Sequence, residues 1–460
     1  MSLELLFQQE ECNEMELLKL RTGGFKNIED TTLELSDLTA LVSLNSYGKS
    51  NLLTAIDFGI DFISAGAKQK NRMMRFQPGV PVNNNNALQN YFFELEAETT
   101  LTGQSHIISY RYEFQWRAQG KSSARIVSEQ LEIKKKEKNQ RYGHLISRDE
   151  KAAFYKSSPA GRCTTKTAIE GNELVLNKLM AFDQLYFRDL IKQLNSLMVY
   201  VDHHLDVSES YSPDFLIRTD LDELDLTGIR NIPRTIFFLK QECPEKFELL
   251  KDAYLQLFPS FTDFDVVEIA VNEMRVKVQI TSIEGDGISS SDTDGIPSDF
   301  DVCDKFYDLK VHDKALMQPI SFGRLSDGAK RIFLMLTFAV IADIKGLPLI
   351  AFEEPENSLH PSLMQSFLLV ITQLTENCKI IITSHSPYML QYILANNIYI
   401  GIPNEKHLAT FRRILNSKVS SLLRDVREAG LSVGDYIFEL MSGYEDDIEQ
   451  LNDYLEQKHE

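Results

Sequence analysis

The sequence predicts an α/β protein: a mixed sheet plus helices, with a helical lobe inserted into it. Three observations carry that prediction. Strand-like alternation from Glu16 to Leu44 switches at Lys49 to helical spacing, with Leu52, Leu53, Ile56 and Ile60 on one stripe. Two short apolar runs, Leu347 to Phe352 and Ile380 to Ile382, end abruptly in polar residues, as strands buried on both faces of a parallel sheet do. Residues 165–262 carry apolar stripes at helical spacing in NELVLNKLMAFDQLYFRDLIKQLNSL and FELLKDAYLQLF.

The chain has 460 residues, which implies two or three lobes rather than one small core. The expected segments are 1–164 and 263–405 as the two parts of the α/β domain, 165–262 as the helical insertion, and 406–460 as an acidic helical tail. The net charge of −19 repels polyanions on average, which speaks against nucleic acid wrapping the whole surface. Five scattered cysteines with no CxxC pair point to a reducing compartment and no zinc site. The apolar stretch from Ile332 to Ala342 is too short to span a bilayer, and the N-terminus is acidic, so a soluble, cytoplasmic chain without a membrane partner is expected.

Between these landmarks the elements follow in order. NYFFELEAETT and HIISYRYEFQW read as strands after an asparagine-rich loop, VNNNNALQN. SARIVSEQLEIKKKEKNQRYGHLISRD reads as a hairpin with a basic tip at Lys134 to Lys138. Strands resume at FDVVEIAV and EMRVKVQI, followed by an acidic, low-complexity loop, GDGISSSDTDGIPSDFD. No solenoid repeat or extended heptad run is present.

Four motifs carry chemistry. SLNSYGKSN, Ser43 to Asn51, lies between a strand and a helix and supplies Gly48, Lys49 and Ser50 in the order a phosphate-binding loop requires. Such a loop uses backbone N–H groups and a lysine for phosphates, and a hydroxyl for magnesium. Ser43 replaces its first glycine, and a serine-capped helix start would show the same three letters. LIAFEEPENSLHP ends a buried strand in Glu353 and Glu354, where an α/β sheet binds its ligand; a solvated strand boundary would look alike. In LSDGAKRIF, Ser326 and Gly328 open a buried helix, as an anion site or an ordinary cap. In TSHSP, His385 directly follows a buried strand, within reach of a phosphate or a water, though a lone histidine is often structural. The succession of all four in one chain points to nucleotide binding.

That succession resembles the ABC-type ATPases of the SMC-like and RecF-like branch, the small AAA-family ATPases of bacterial phage-defence systems. FKNI, NSYGKSN, LSDGAKR, FEEPENSLHP and TSHSP carry the resemblance; the middle of the chain does not. It implies ATP and Mg2+ as ligands, bound between head-to-tail protomers of a homodimer or higher homo-oligomer. Lys26, Asn27, Asn45, Gly48, Lys49, Ser50 and Asn51 would contact ATP, and Ser50 and Glu353 would hold the metal. Glu354 would be the catalytic base, His385 the switch histidine, and Ser326 with Gly328 the contact in trans. Gln77 is a candidate for the magnesium-contacting glutamine. Glu353 stands where the family carries aspartate, so with Ser43 two motifs are altered and slow hydrolysis is implied.

Within the family the chain looks most like the ATPase subunit of Septu-type systems, which works with a separate HNH-type nuclease and meets nucleic acid through the complex. The competing reading is a DNA repair or recombination ATPase of the RecF/SMC-like type acting directly on DNA, with Lys134, Lys135, Lys136 and Lys138 in its groove. A third is a scaffold that binds nucleotide weakly or not at all.

Overall fold

The computed structural model describes residues 15–456 except 46, 82–85, 118–123, 203–206, 212–215, 219–230, 271–280, 285–286, 291–299, 303–304, 358, 404–405 and 444. The chain opens with strands β1 (Glu16–Phe25), β2 (Ile28–Glu34) and β3 (Leu38–Ser43), then helices α1 (Lys49–Ser64) and α2 (Ala67–Met73). Six strands follow: β4 (Tyr91–Leu101), β5 (Gln104–Gln115), β6 (Arg125–Lys135), β7 (Gly143–Arg148), β8 (Ala153–Lys156) and β9 (Cys163–Thr167). Short helices α3 (Val175–Leu179) and α4 (Arg188–Asn195) lead to β10 (Val199–Asp202). Next come α5 (Val207–Ser210), β11 (Leu216–Arg218), α6 (Ile232–Glu242), α7 (Pro244–Leu257) and β12 (Phe261–Ala270). Strands β13 (Thr281–Glu284), β14 (Gly287–Ser290), β15 (Phe300–Val302), β16 (Lys305–Asp313) and β17 (Ile320–Ser321) precede α8 (Asp327–Ile344). The chain closes with β18 (Leu349–Glu353), α9 (Pro361–Gln373), β19 (Lys379–Ser384), α10 (Pro387–Leu390), β20 (Ile398–Pro403), β21 (Ala409–Arg413), α11 (Val419–Ala429), α12 (Val433–Ser442) and α13 (Glu445–Tyr454).

The fold is α/β, a mixed sheet with helices, and the chain forms two compact units. The first comprises residues 1–203, 342–357 and 375–460; the second comprises 204–341 and 358–374. This division runs along other lines than the segments expected from sequence. Helices α3 and α4, in the stretch expected to be a separate lobe, belong to the first unit: Leu176, Leu190 and Leu194 are buried in its core.

The first unit is built on a 14-stranded sheet in the order β10-β18-β19-β3-β20-β21-β2-β1-β4-β5-β6-β7-β8-β9. From β10 through β20 the strands are parallel. From β1 through β9 every pair is antiparallel, so the expected hairpin with Lys134 near its tip forms between β6 and β7. Helix α1 packs on the antiparallel half: the Tyr91 and Tyr112 hydroxyls donate to the carbonyls of Ala55 and Gly59, both at 2.8 Å. Phe62 is fully buried there, stacked on Tyr112 and Phe114 at 5.0 and 4.9 Å between centroids.

The second unit pairs β12 with β16 and β16 with β17, all antiparallel. Its core is aromatic, with Tyr254, Phe264, Phe322 and Phe333 in mutual contact. Of the segment expected to be an acidic loop, Gly287–Ser290 instead pairs with Thr281–Glu284 as a hairpin; residues 285–286 and 291–299 lie outside the described residues, as does EMRVKVQI up to Gln279 and Ile280. The acidic tail is a helix, α13, but not a wholly solvated one: Leu451 and Tyr454 are buried, and it packs on α12.

Candidate nucleotide site

The site forms where four parallel strands end together. Residue pairing aligns Glu353 with Thr383, Ser384 with Val42, and Gly401 with Ser43, so the carboxyl ends of β18, β19, β3 and β20 share one edge. Ligands of open α/β sheets bind at that edge. The interior residues of these strands are buried and, apart from threonines such as Thr39 and Thr383, apolar, so charged groups sit at the strand ends.

The turn after β3 enters α1 through Gly48, whose φ of 109° is a left-handed conformation that side chains resist. A Cβ at Gly48 would also lie 3.1 Å from the Asn27 amide. Helix α1 therefore starts with Lys49 buried and Ser50 exposed, and Asn45 sits in the exposed turn. The Lys49 ammonium donates to the Ser43 carbonyl at 3.1 Å and to its hydroxyl at 3.2 Å, and lies 3.1 Å from His385 Nδ1. Burial pushes this ammonium down to about 8, against the pull of Glu354, Glu356 and Glu353.

His385 Nε2 in turn lies 2.6 Å from Glu354 Oε1. A Lys49 N–H donated to Nδ1 leaves the imidazole proton on Nε2, facing the carboxylate. Glu354 itself has φ of 46°, and its amide donates to the Thr383 carbonyl at 3.0 Å. A non-glycine residue held in this region costs on the order of 1–3 kcal/mol, a cost that clusters at functional sites. Lys26, with φ of 47°, is a second such residue beside the same loop. Its ammonium donates to Asn51 Oδ1 at 3.0 Å, and Asn51 donates to Asn27 Oδ1 at 2.7 Å.

Ser50 Oγ donates to Glu353 Oε2 at 2.9 Å. A hydroxyl and a carboxylate at this spacing are hard oxygen donors of the kind magnesium takes, and magnesium commonly uses one or two such groups together with phosphate oxygens. Among the described residues no group of three or more His, Cys, Asp or Glu side chains is placed to hold a metal ion.

The structure thus brings Lys26, Asn27, Gly48, Lys49, Ser50, Asn51, Glu353, Glu354 and His385 together in the first unit. Gln77 opens a single 3-10 turn, Gln77–Gly79, whose Gly79 carbonyl accepts from the Lys26 amide at 2.9 Å; the Gln77 side chain lies outside the described residues. Ser326 and Gly328 belong to the second unit, where the Ser326 hydroxyl accepts weakly from Ala329 N–H at 3.4 Å as a helix cap. Sequence reasoning missed Glu356, which accepts from Ser384 Oγ at 2.7 Å and from His385 N–H at 2.9 Å. Its place two residues past Glu354, in the same turn, was the available signal.

Residues 187–391 match the family model described as "AAA domain, putative AbiEii toxin, Type IV TA system". No curated protein matches the chain in sequence. Among solved structures, an SmcHead bound to the C-winged helix domain of ScpA shares 13% identity over 88% of this chain and 99% of its own, with a TM-score of 0.46. An Smc head domain with an extended coiled coil, bound to the C-terminal domain of ScpA derived from Pyrococcus furiosus, shares 12% over 90% and 100%, at 0.42. The SMC head domain from Thermotoga maritima shares 10% over 87% and 99%, at 0.39. Among the described residues no helix is long and apolar enough to cross a membrane.

Proposed function

We propose that the chain binds ATP with Mg2+ at this edge and hydrolyses it slowly. The observation that carries the reading is the chain of contacts from Lys49 through His385 to Glu354, set beside the Ser50–Glu353 pair. In this reading Lys49 meets the β- and γ-phosphates, Ser50 and Glu353 hold the metal, and Glu354 takes the proton of the attacking water with His385 beside it. Lys26, Asn27, Asn45, Gly48 and Asn51 line the nucleotide, with Gln77 as a further candidate for the metal. Ser326 and Gly328 of a second copy close the site in a homodimer.

The chain then serves as an ATPase subunit of Septu-like anti-phage systems, controlling a separate HNH-type nuclease, with ATP occupancy holding the complex inactive and depletion releasing it. A partner that docks better on one dimer geometry than on another is biased by ATP to the extent of that difference. The alternative, direct action on DNA through the basic hairpin, is weakened by two contacts. Lys136 pairs with Glu98, and Lys134 lies 4.3 Å over the Tyr142 ring. Two of its four lysines thus have partners within the chain.

Lys49→Ala decides the binding claim. Calorimetry with ATP and Mg2+ is expected to show affinity weakened by a hundredfold or more, on the order of 2.7 kcal/mol, with the far-UV spectrum of the parent retained. Equal affinity in mutant and parent would remove the phosphate-loop reading. Nuclease activity of the reconstituted complex that ignores ATP would remove the gating claim.

A further inference from the structure

We infer that Glu356 and Gly434 are positioning residues for His385, and that the C-terminal helix α12 acts on the nucleotide site through the segment it presses on. The inference rests on the proposed nucleotide site and adds to it a connection that the four motifs do not contain.

On its inner side the turn Thr383–Ser386 is bound by Glu356. One carboxylate oxygen accepts from both Ser384 Oγ and the His385 amide. Ser384 is fully buried, and its hydroxyl also accepts from Ser386 N–H at 2.9 Å, which closes the turn on itself. The other oxygen, Oε2, is buried without a hydrogen-bond partner. A carboxylate left half-satisfied is costly to bury, so its retention calls for a role beyond packing. Here the role is visible: Glu356 ties the end of β18 to the end of β19 and so fixes the imidazole between Lys49 and Glu354.

On its outer side the turn continues through Ser386 into α10, and Gly434 in the first turn of α12 presses on it. A Cβ at Gly434 would stand 2.6 Å from the Pro387 carbonyl carbon and 2.8 Å from its Cα, distances real Cβ atoms do not occupy. The obstacle is backbone, which cannot rotate aside. Any substitution at Gly434 must therefore move α12 or the segment two residues from His385. Met389 and Leu390 of α10, and Ile437 of α12, are fully buried, so the contact is packed rather than incidental. A shift of α12, imposed by a mutation or by a partner bound to the C-terminal helices, is transmitted to the His385 ring.

The test uses full-length protein with 15N-labelled histidine, in which the His385 resonances are assigned by their loss in His385→Gln. Glu356→Ala and Gly434→Ala are expected to move the His385 imidazole resonances and to lower ATP turnover about a hundredfold. ATP affinity should change far less than turnover, and least in Gly434→Ala, because Glu356 reaches Lys49 only through its charge and Gly434 packs on Pro387 instead. Glu356→Gln, which keeps an acceptor for Ser384 and His385, should restore most of both readouts. Gly430→Asn, at the α11 terminus where a Cβ meets open space, should leave both unchanged. If Gly434→Ala does not fold, Ser432→Ala takes its place, since it uncaps α12 without adding bulk. Unmoved His385 resonances in Glu356→Ala and Gly434→Ala overturn the inference, as does an equal shift in Gly430→Asn. Failure of the parent to bind ATP would instead overturn the nucleotide reading and leave the resonance shifts to decide this one.

Discussion

The two halves of the large sheet are built from different sequence patterns, and the residues of the proposed site gather at the end of only one of them. In the parallel half, β3, β18 and β19 are buried along nearly their whole length, so their sequences are apolar runs. In the antiparallel half, β4 and β5 alternate buried and half-exposed residues, with one face inward and one outward. A strand covered on both faces has nowhere to put a polar group except at its end. The ends of the parallel strands are therefore where Ser43, Glu353, Glu354 and His385 collect, while the antiparallel half buries its own charged group, Lys70, Glu129 and Arg148, against backbone away from that edge. Helix α1 joins the two halves, presenting Lys49 to one and anchoring Phe62 in the other.

The comparison is broken most severely at the parallel edge. Glu354→Gln keeps shape and hydrogen-bonding capacity but removes the proton acceptor beside His385. ATP turnover is expected to fall by about 10²–10⁴-fold, with ATP still bound and the dimer more persistent in size-exclusion runs. The folded state should be little affected. Turnover equal to the parent's would move the base elsewhere, with Glu353 next in line.

The antiparallel half predicts the opposite division of effects. Phe62→Ala opens a cavity beneath Tyr112 and Phe114, at a cost of about 3–5 kcal/mol in unfolding free energy by denaturant titration. At temperatures where the variant remains folded, ATP affinity should stay near the parent's. Affinity that falls in step with stability would mean that α1 does not insulate its first turn from its last.

How much of this could be read from the chain depended on whether the signal was local. The GKS turn and the strands ending in Glu353 and His385 were legible because an apolar run and its polar stop are neighbours in sequence. Hairpins such as β6–β7 were legible for the same reason. The placement of β3 between β19 and β20 was not, since it pairs Leu41 with both Thr383 and Tyr399, more than three hundred residues away. The division into units was missed because α3 and α4 carry the same amphipathic spacing whether they cover a sheet or form a lobe. Glu356 looked like one more acidic residue in a turn; only its grip on the next strand's end separates it from a solvated glutamate.

The smallest expected effect belongs to a lysine that was illegible for a similar reason. Lys70 is fully buried in the antiparallel half, where its ammonium donates to the Ile63 carbonyl at 3.1 Å and to that of Ala65, closing the end of α1. Burial pushes it down to about 7, with Glu129 and Glu173 opposing the shift. Below pH 7 both the folded and unfolded chains hold this proton, so the cost of burying the charge is present in full. Between pH 7 and the ordinary lysine value near 10.5 the unfolded chain keeps the proton that the folded chain has lost, and stability rises with pH. The slope from this one group is at most about 1.4 kcal/mol per pH unit. Lys70→Met removes the titration while keeping the length of the side chain. The stability of the parent minus that of Lys70→Met, from urea titrations at pH 6.5, 8 and 9.5, should rise at each step, and more over the upper interval than the lower. Lys49 titrates from about 8 in both proteins and cancels in the difference. A difference independent of pH would show that Lys70 keeps its charge in the fold, held by Glu129 and Glu173 more strongly than burial opposes it.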